Sequence, residues 1–96
     1  MSLPTIFQII EAEQWFLKSI ELVPSFRSAL FNLALLLTET GRPGDAVGPL
    51  NQLLLHHPDH VKALILLGDI HTNHVRDLDK AEDLYQRWSY SEINNL

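Results

Sequence analysis

Cysteine is absent from this 96-residue chain, which excludes a disulfide framework and any thiolate metal site and leaves the core to hold by packing alone. Cations are scarce: seven Lys and Arg stand against twelve Asp and Glu, a net charge of −5. A chain that binds nucleic acid by releasing counterions from phosphates needs the opposite sign, so no nucleic-acid partner is expected. Long apolar runs are missing as well. The stretch over residues 29–37 is broken by Asn32, and a bilayer-spanning helix needs roughly 20 apolar residues. The opening Met-Ser-Leu-Pro-Thr lacks the basic region, apolar run and cleavage site of a secretory signal. What remains is a chain of globular composition, 46% hydrophobic and 20% charged, with room for one domain and a modest core.

Signatures of chemistry are also lacking. Gly41-Arg42-Pro43-Gly44 has no Lys-Ser/Thr ending and follows no strand, so it reads as a hairpin turn rather than a phosphate loop. No serine or threonine stands in a recognisable setting with a base and a group to orient it. Glu11, Glu13, Glu82 and Asp83 are the carboxylates of solvated helical faces. Of the five histidines, His71 and His74 are three apart on one predicted helix, but zinc wants three or four ligands of fixed geometry and no completing set follows. His71 reads as a packed ring, and His56 and His57 as an exposed helix end favoured by the dipole. Trp15, Phe16, Tyr85 and Trp88 read as packing residues. No catalytic residue, no metal and no cofactor is expected.

What is present is an internal repeat. An offset of 34 residues aligns Ala12 with Ala46, Pro24 with Pro58, Leu30 with Leu64, and Leu33 with Leu67. In one unit Leu30, Leu33, Ala34 and Leu37 form a stripe at i, i+3, i+4 and i+7, and the next repeats it with Leu64, Leu67, Gly68 and His71. A partner helix follows each, with a small residue and then bulky ones: Ala46, Leu50, Leu53, and Ala81, Tyr85, Trp88. The first unit shows only this partner half, in Ala12, Phe16 and Ser19. Two antiparallel helices approach closely only where small side chains face the contact. Pro24 and Pro58 each close a unit and turn the chain. A generic bundle would not repeat so many positions at one offset.

The pattern resembles the tetratricopeptide repeat over roughly residues 11–90. The implied fold is all-α: a right-handed superhelix of antiparallel hairpins, about two and a half repeats built from five helices. Residues 5–23 are expected to be the second helix of an incomplete repeat, with a Thr5–Gln8 capping box. Residues 25–58 and 59–92 are expected to be complete repeats, and 93–96 a tail. Helices are predicted over about 25–40, from about 43 to before Pro58, and from an Asp59 cap to about His74. Gly68 to Ala81 spans 13 residues where Ala34 to Ala46 spans 12, which predicts one inserted residue at the second hairpin tip. Residues 1–10 carry no first-helix stripe and Ile93 replaces the expected proline, so the chain reads as an excised, truncated or spliced piece of a longer array. Both ends of that array are open, which predicts marginal stability or self-association.

The wording of "AEQWFLKSIEL", "HPDHVKALILLGDI" and "DLDKAEDLYQR" is similar to the repeat region of the transmembrane and tetratricopeptide-containing O-mannosyltransferases. That resemblance implies the lumenal side of the endoplasmic reticulum and a link to cadherin O-mannosylation. The membrane helices and the transferase residues are not in this chain. Without the resemblance, the lack of a targeting signal would leave the chain in the cytoplasm.

Two functions compete. One is a scaffold that binds a protein or peptide in its concave groove; the other is a non-catalytic lumenal segment of a transferase that contributes to acceptor choice. In stacked hairpins the first helix of each unit lines the concave face. The groove is therefore expected from Ser28, Phe31, Asn32, Leu35 and Glu39 opposite Lys62, Ile65, Asp69 and Asn73. Asn32 and Lys62 match a clamp for acidic tails, but Phe31, Leu35 and Leu66 replace its polar members. Apolar anchors with a charge-set register fit better. Phe31 and Ile65 fit packing against neighbouring hairpins equally well.

Overall fold

Helix ends in the structure fall close to the punctuation in the sequence. The computed structural model describes residues 4–94, so the ends of the expected leading and trailing segments, residues 1–3 and 95–96, lie outside the described residues. Five α-helices follow in order: α1 (Ile6–Leu22), α2 (Arg27–Glu39), α3 (Val47–His56), α4 (Val61–Ile70) and α5 (Leu78–Asn94). A 3-10 turn, Pro43–Ala46, leads into α3, and a π-turn, His71–Val75, extends α4. Each helix packs on the next, and there is no strand among the described residues. The molecule is longer than it is wide, 41 × 28 × 25 Å, as stacking in one direction requires.

The two predicted stripes form the core. Leu30, Leu33, Ala34 and Leu37 of α2 and Leu64, Leu67 and Gly68 of α4 are buried, as is His71 beyond α4, together with Ala46, Leu50 and Leu53 from the start and body of α3. Full burial of a leucine or isoleucine side chain contributes about 1.5–3 kcal/mol. Leu30, Leu50, Leu53, Leu64, Leu67 and Ile70 are in that position, and all belong to α2, α3 and α4 and to one buried cluster. The end helices have a neighbour on one side only. No residue of α1 is fully buried, although Phe16 and Ile20 pack against the core.

Local chemistry explains the helix ends. At α1 the predicted capping box is present: the Thr5 amide donates to Gln8 Oε1 at 2.8 Å and the Gln8 amide to Thr5 Oγ1 at 3.1 Å. After α2, Gly41 takes φ +84°, while the Arg42 amide donates to Leu37 and the Gly41 amide to Thr38. This is a Schellman closure, and its left-handed position favours glycine. At α4 the expectation needs correction. His60 rather than Asp59 is the cap, its Nδ1 accepting from the Ala63 amide at 3.1 Å.

The extra residue also sits elsewhere than at the tip. Thr38 and Thr72 occupy equivalent places, their hydroxyls donating to the carbonyls of Ala34 at 2.7 Å and Gly68 at 2.9 Å. From His71 the α-helical ladder loosens into the π-turn, and Arg76 then takes the left-handed place of Gly41 at φ 61°. A π-turn holds one more residue than the α-turn it replaces, so the insertion is absorbed in the helix end. The connection that follows is short, and Leu78 already belongs to α5.

Close approach within the second hairpin depends on Gly68. A Cβ there would stand 2.7 Å from Tyr85 Cε1, closer than real contacts allow, and the Tyr85 hydroxyl is itself anchored at 2.6 Å to Asp69. Overpacking of this kind costs about 1–3 kcal/mol, whereas alanine in a helix gains about 0.8–1.0 kcal/mol over glycine. Gly68→Ala is therefore expected to destabilise the chain, and the same change in a Tyr85→Ala background to stabilise it. Urea midpoints of the four proteins check the reversal of sign.

The units are also tied through their turns. Gln52 Nε2 of α3 donates to the Pro24 carbonyl at 2.7 Å, and Arg87 of α5 donates to the Pro58 carbonyl at 3.3 Å. Each turn that proline opens is thus closed by a side chain from the following second-type helix. His57 adds a 3.1 Å contact to the Ser25 carbonyl. At the other end of the hairpin, Arg42 reaches both oxygens of Glu13 on α1, at 3.0 and 2.9 Å, and Asp45 at 3.0 Å. These partners, Asp45 first and then Glu13, raise the Arg42 pKa further above its ordinary value.

Candidate interaction surface

Helical spacing places Ser28, Phe31, Asn32, Leu35 and Glu39 along one face of α2. Ser28, Asn32 and Glu39 are exposed, and Phe31 and Leu35 are half-buried. On α4, Lys62, Ile65 and Asp69 share a face in the same way, with Lys62 and Asp69 exposed and Ile65 half-buried. Asn73 is exposed but lies in the π-turn, where the α-helical periodicity that grouped it with Lys62 no longer holds. Phe31 packs against the core, which makes it a structural residue with one free side.

Two contacts around this surface had no signal in the spacing. The Phe31 ring meets the ring of His60, with centroids 5.2 Å apart and planes tilted by 33°. Here an aromatic on α2 meets the cap of α4, a junction between repeats that no local pattern encodes. Asp69 is the second case. Its carboxylate accepts from the Tyr85 hydroxyl, so it is oriented toward α5 in its own hairpin. That bond raises the Tyr85 phenol above its ordinary pKa, with burial adding to the effect and Thr72 opposing it.

His60 makes the junction sensitive to protons. Burial is the first cause that lowers its pKa, and Arg27, His57 and Lys62 nearby lower it further, while its own backbone hydrogen bond opposes them. Its Nδ1 accepts a hydrogen bond and can do so only without a proton there. The folded-state pKa lies below the ordinary 6.5, so the unfolded chain binds more protons, and the stabilisation is complete above the unfolded value and is lost as pH falls through the lower folded-state value. The expected result is a lower melting temperature at about pH 5.5 than at about pH 7.5. His60→Asn, which keeps a capping oxygen and does not titrate, should narrow that difference.

The aromatic and histidine readings divide. Phe16 and Trp88 pack against the core and His71 is buried. Trp15, expected to pack, is instead 67% exposed. It lies off the α1 stripe of Ile9, Ala12, Phe16, Ser19 and Ile20, all of which are half-buried. Among the described residues no group of three or more His, Cys, Asp or Glu side chains is placed to hold a metal ion. No described helix is long and apolar enough to cross a membrane.

The comparisons agree with this geometry. Over 85 residues the chain is 66% identical to "Protein O-mannosyl-transferase Tmtc3" of Drosophila melanogaster, covering 88% of this chain and 9% of the relative. Over 86 residues it is 48% identical to "Protein O-mannosyl-transferase TMTC3" of Homo sapiens, covering 90% of this chain and again 9% of the relative. The chain thus spans less than a tenth of the length of the curated relatives it matches. No solved structure matches it. The family model described as "Tetratricopeptide repeat" matches residues 31–90, the stretch in which α2 to α5 reproduce one hairpin twice. With its 34-residue period, its paired helices and that match, the chain belongs to the tetratricopeptide repeat family.

Proposed function

We propose that this chain is an interaction module that takes an extended or helical protein segment in the groove formed by Ser28, Phe31, Asn32, Leu35 and Glu39 of α2 with Lys62, Ile65, Asp69 and Asn73. The observation that carries this reading is the half-burial of Phe31, Leu35 and Ile65 between exposed polar neighbours on the first helix of each unit. Such side chains offer apolar anchors, and Lys62 and Asp69 supply charges of opposite sign one above the other to set a register. The role is recognition, and the chemistry of any parent protein lies outside this chain.

The two O-mannosyl-transferase relatives favour a particular setting for that role. In it, the chain is a lumenal piece of an endoplasmic reticulum transferase and its groove holds acceptor protein, such as a cadherin segment, for modification elsewhere. The test is co-precipitation from a lumenal extract with the wild type and with a Leu35→Glu, Ile65→Glu double variant of unchanged helicity. Recovery should fall at least about tenfold in the double variant, the effect of placing unpaired charge in an apolar contact. Recovered proteins that carry O-linked mannose support the transferase setting; recovery that the double variant does not change places the binding surface elsewhere.

A further inference from the structure

We infer that the junction between the α2–α3 and α4–α5 hairpins is an anion subsite of the concave groove, where it receives the carboxylate of an acidic residue on the bound segment. The inference rests on that groove as the place of binding. Arg27, His56, His57 and His60 line one surface cavity of about 360 Å³, with Asp59 as the acidic member of the lining. Both hairpins that form the junction lie within this chain, the cavity being made by the start of α2, the end of α3 and the turn into α4.

The repeat itself does not ask for these residues. At an offset of 34 the places of His56, His57 and His60 are held by Leu22, Val23 and Phe26, and Phe26 precedes α2 as His60 precedes α4. A fold that accepts apolar side chains there has no packing reason for three imidazoles. Their charge is not neutralised within the molecule either. Among the described residues the salt bridges of basic side chains belong to Lys18 and Arg42, so Arg27 and Lys62 have no ion-pair partner there. Both nevertheless stand close enough to His60 to disfavour its protonation. Like charges gathered at one place in a chain of net charge −5 favour an anion brought from outside.

Hydrogen bonding and position identify the occupant. His60 Nδ1 accepts from the Ala63 amide, which leaves the proton of the neutral ring on Nε2, free to donate. Arg27 adds a planar fork of donors that matches a carboxylate. The cavity is continuous with the groove: the His60 ring lies against Phe31, Arg27 precedes Ser28, and Lys62 is a groove residue. Charge of the other sign stands at the far end, where Glu39 ends α2 and Asp69 lies in the last turn of α4. Helix α2 has 13 residues, roughly 20 Å, a length that an extended segment crosses in about six residues. A segment with an acid at one end, apolar side chains between and a base at the other end therefore matches the groove along its length.

The probe is an acetylated and amidated peptide, Glu-Ser-Leu-Ser-Leu-Ser-Lys, whose Glu, Leu and Lys side chains alternate onto one side of an extended chain. Its control has glutamine in place of glutamate. Titration calorimetry should show saturable binding of the glutamate peptide and at least about tenfold weaker binding of the control. Arg27→Glu changes an exposed side chain in the first turn of α2, where an acidic residue suits the helix dipole. This variant should keep its helicity and bind the glutamate peptide at least about tenfold more weakly. A third peptide, with lysine in place of the glutamate, should bind the variant better than the wild type, a reversal that a folding defect cannot produce. Equal binding of the glutamate and glutamine peptides, both lost in the Leu35→Glu, Ile65→Glu double variant, would overturn the subsite and leave the groove standing. Binding that Arg27→Glu weakens and the double variant does not would keep the subsite and overturn the groove. No saturable binding of the glutamate peptide would overturn the inference, while the co-precipitation decides on the groove independently.

Discussion

Leu50→Ala is expected to destabilise the chain by about 3–5 kcal/mol, the upper part of the range for large-to-small changes in cores that cannot collapse. Leu50 has no exposed surface and sits on α3, which has helices on both sides, so the space it vacates is bounded by α2 and α4 together. A domain of this length has a total stability near the low end of about 5–15 kcal/mol. The variant should therefore lose most of its helical circular dichroism at room temperature or melt without a cooperative transition. Leu55 supplies the control on the same helix. It is 78% exposed, and its replacement by alanine should change stability by no more than about 0.5 kcal/mol. Equal effects at the two positions would mean that α3 is not the middle layer of the stack.

His71→Phe is the substitution expected to stabilise most. His71 is 5% exposed and takes the place that Leu37 holds in the preceding unit. Its Nδ1 is buried without a hydrogen-bond partner, and an unsatisfied buried polar group costs about 1–3 kcal/mol. Phenylalanine keeps the ring and removes the polar atom. The small cavity beside it, lined also by Leu67 and Leu84, gives room for the slightly larger side chain. A gain of about 1–2 kcal/mol is expected in denaturant unfolding. His71→Asn should lose stability, since it keeps polar atoms and removes the ring. If phenylalanine destabilised the chain as asparagine does, the imidazole would have a polar partner in solution that the buried Nδ1 does not show.

Several elements were readable because they are written locally. The stripe of Leu30, Leu33, Ala34 and Leu37 and its copy at Leu64, Leu67, Gly68 and His71 specify buried faces through helical spacing alone. The Thr5–Gln8 box is closed by residues three apart. Gly41 marks a left-handed position that other residues resist, and the Schellman closure forms there. Other readings failed for an equally physical reason. Asp59 is the better intrinsic cap, yet His60 caps α4, at the position where its ring also meets Phe31 of α2. Trp15 counts as a packing residue by type but lies off the half-buried face of α1.

The groove residues show the same division. That Ser28, Phe31, Asn32, Leu35 and Glu39 share a face follows from periodicity, as does the grouping of Lys62, Ile65 and Asp69. The hydroxyl that holds Asp69 comes from Tyr85, 16 residues away, and the turn that carries Asn73 is a π-turn. By itself, the sequence determined the period, the paired helices, the buried stripes and the small residues at close contacts, because each is a short-range pattern of side-chain size and polarity. Only the tertiary structure decided which residue caps α4, where the extra residue is absorbed, and which side chains close the turns at Pro24 and Pro58. Those outcomes depend on distances between helices set by the whole stack, and a donor on one helix finds its acceptor on another only after the apolar faces have packed.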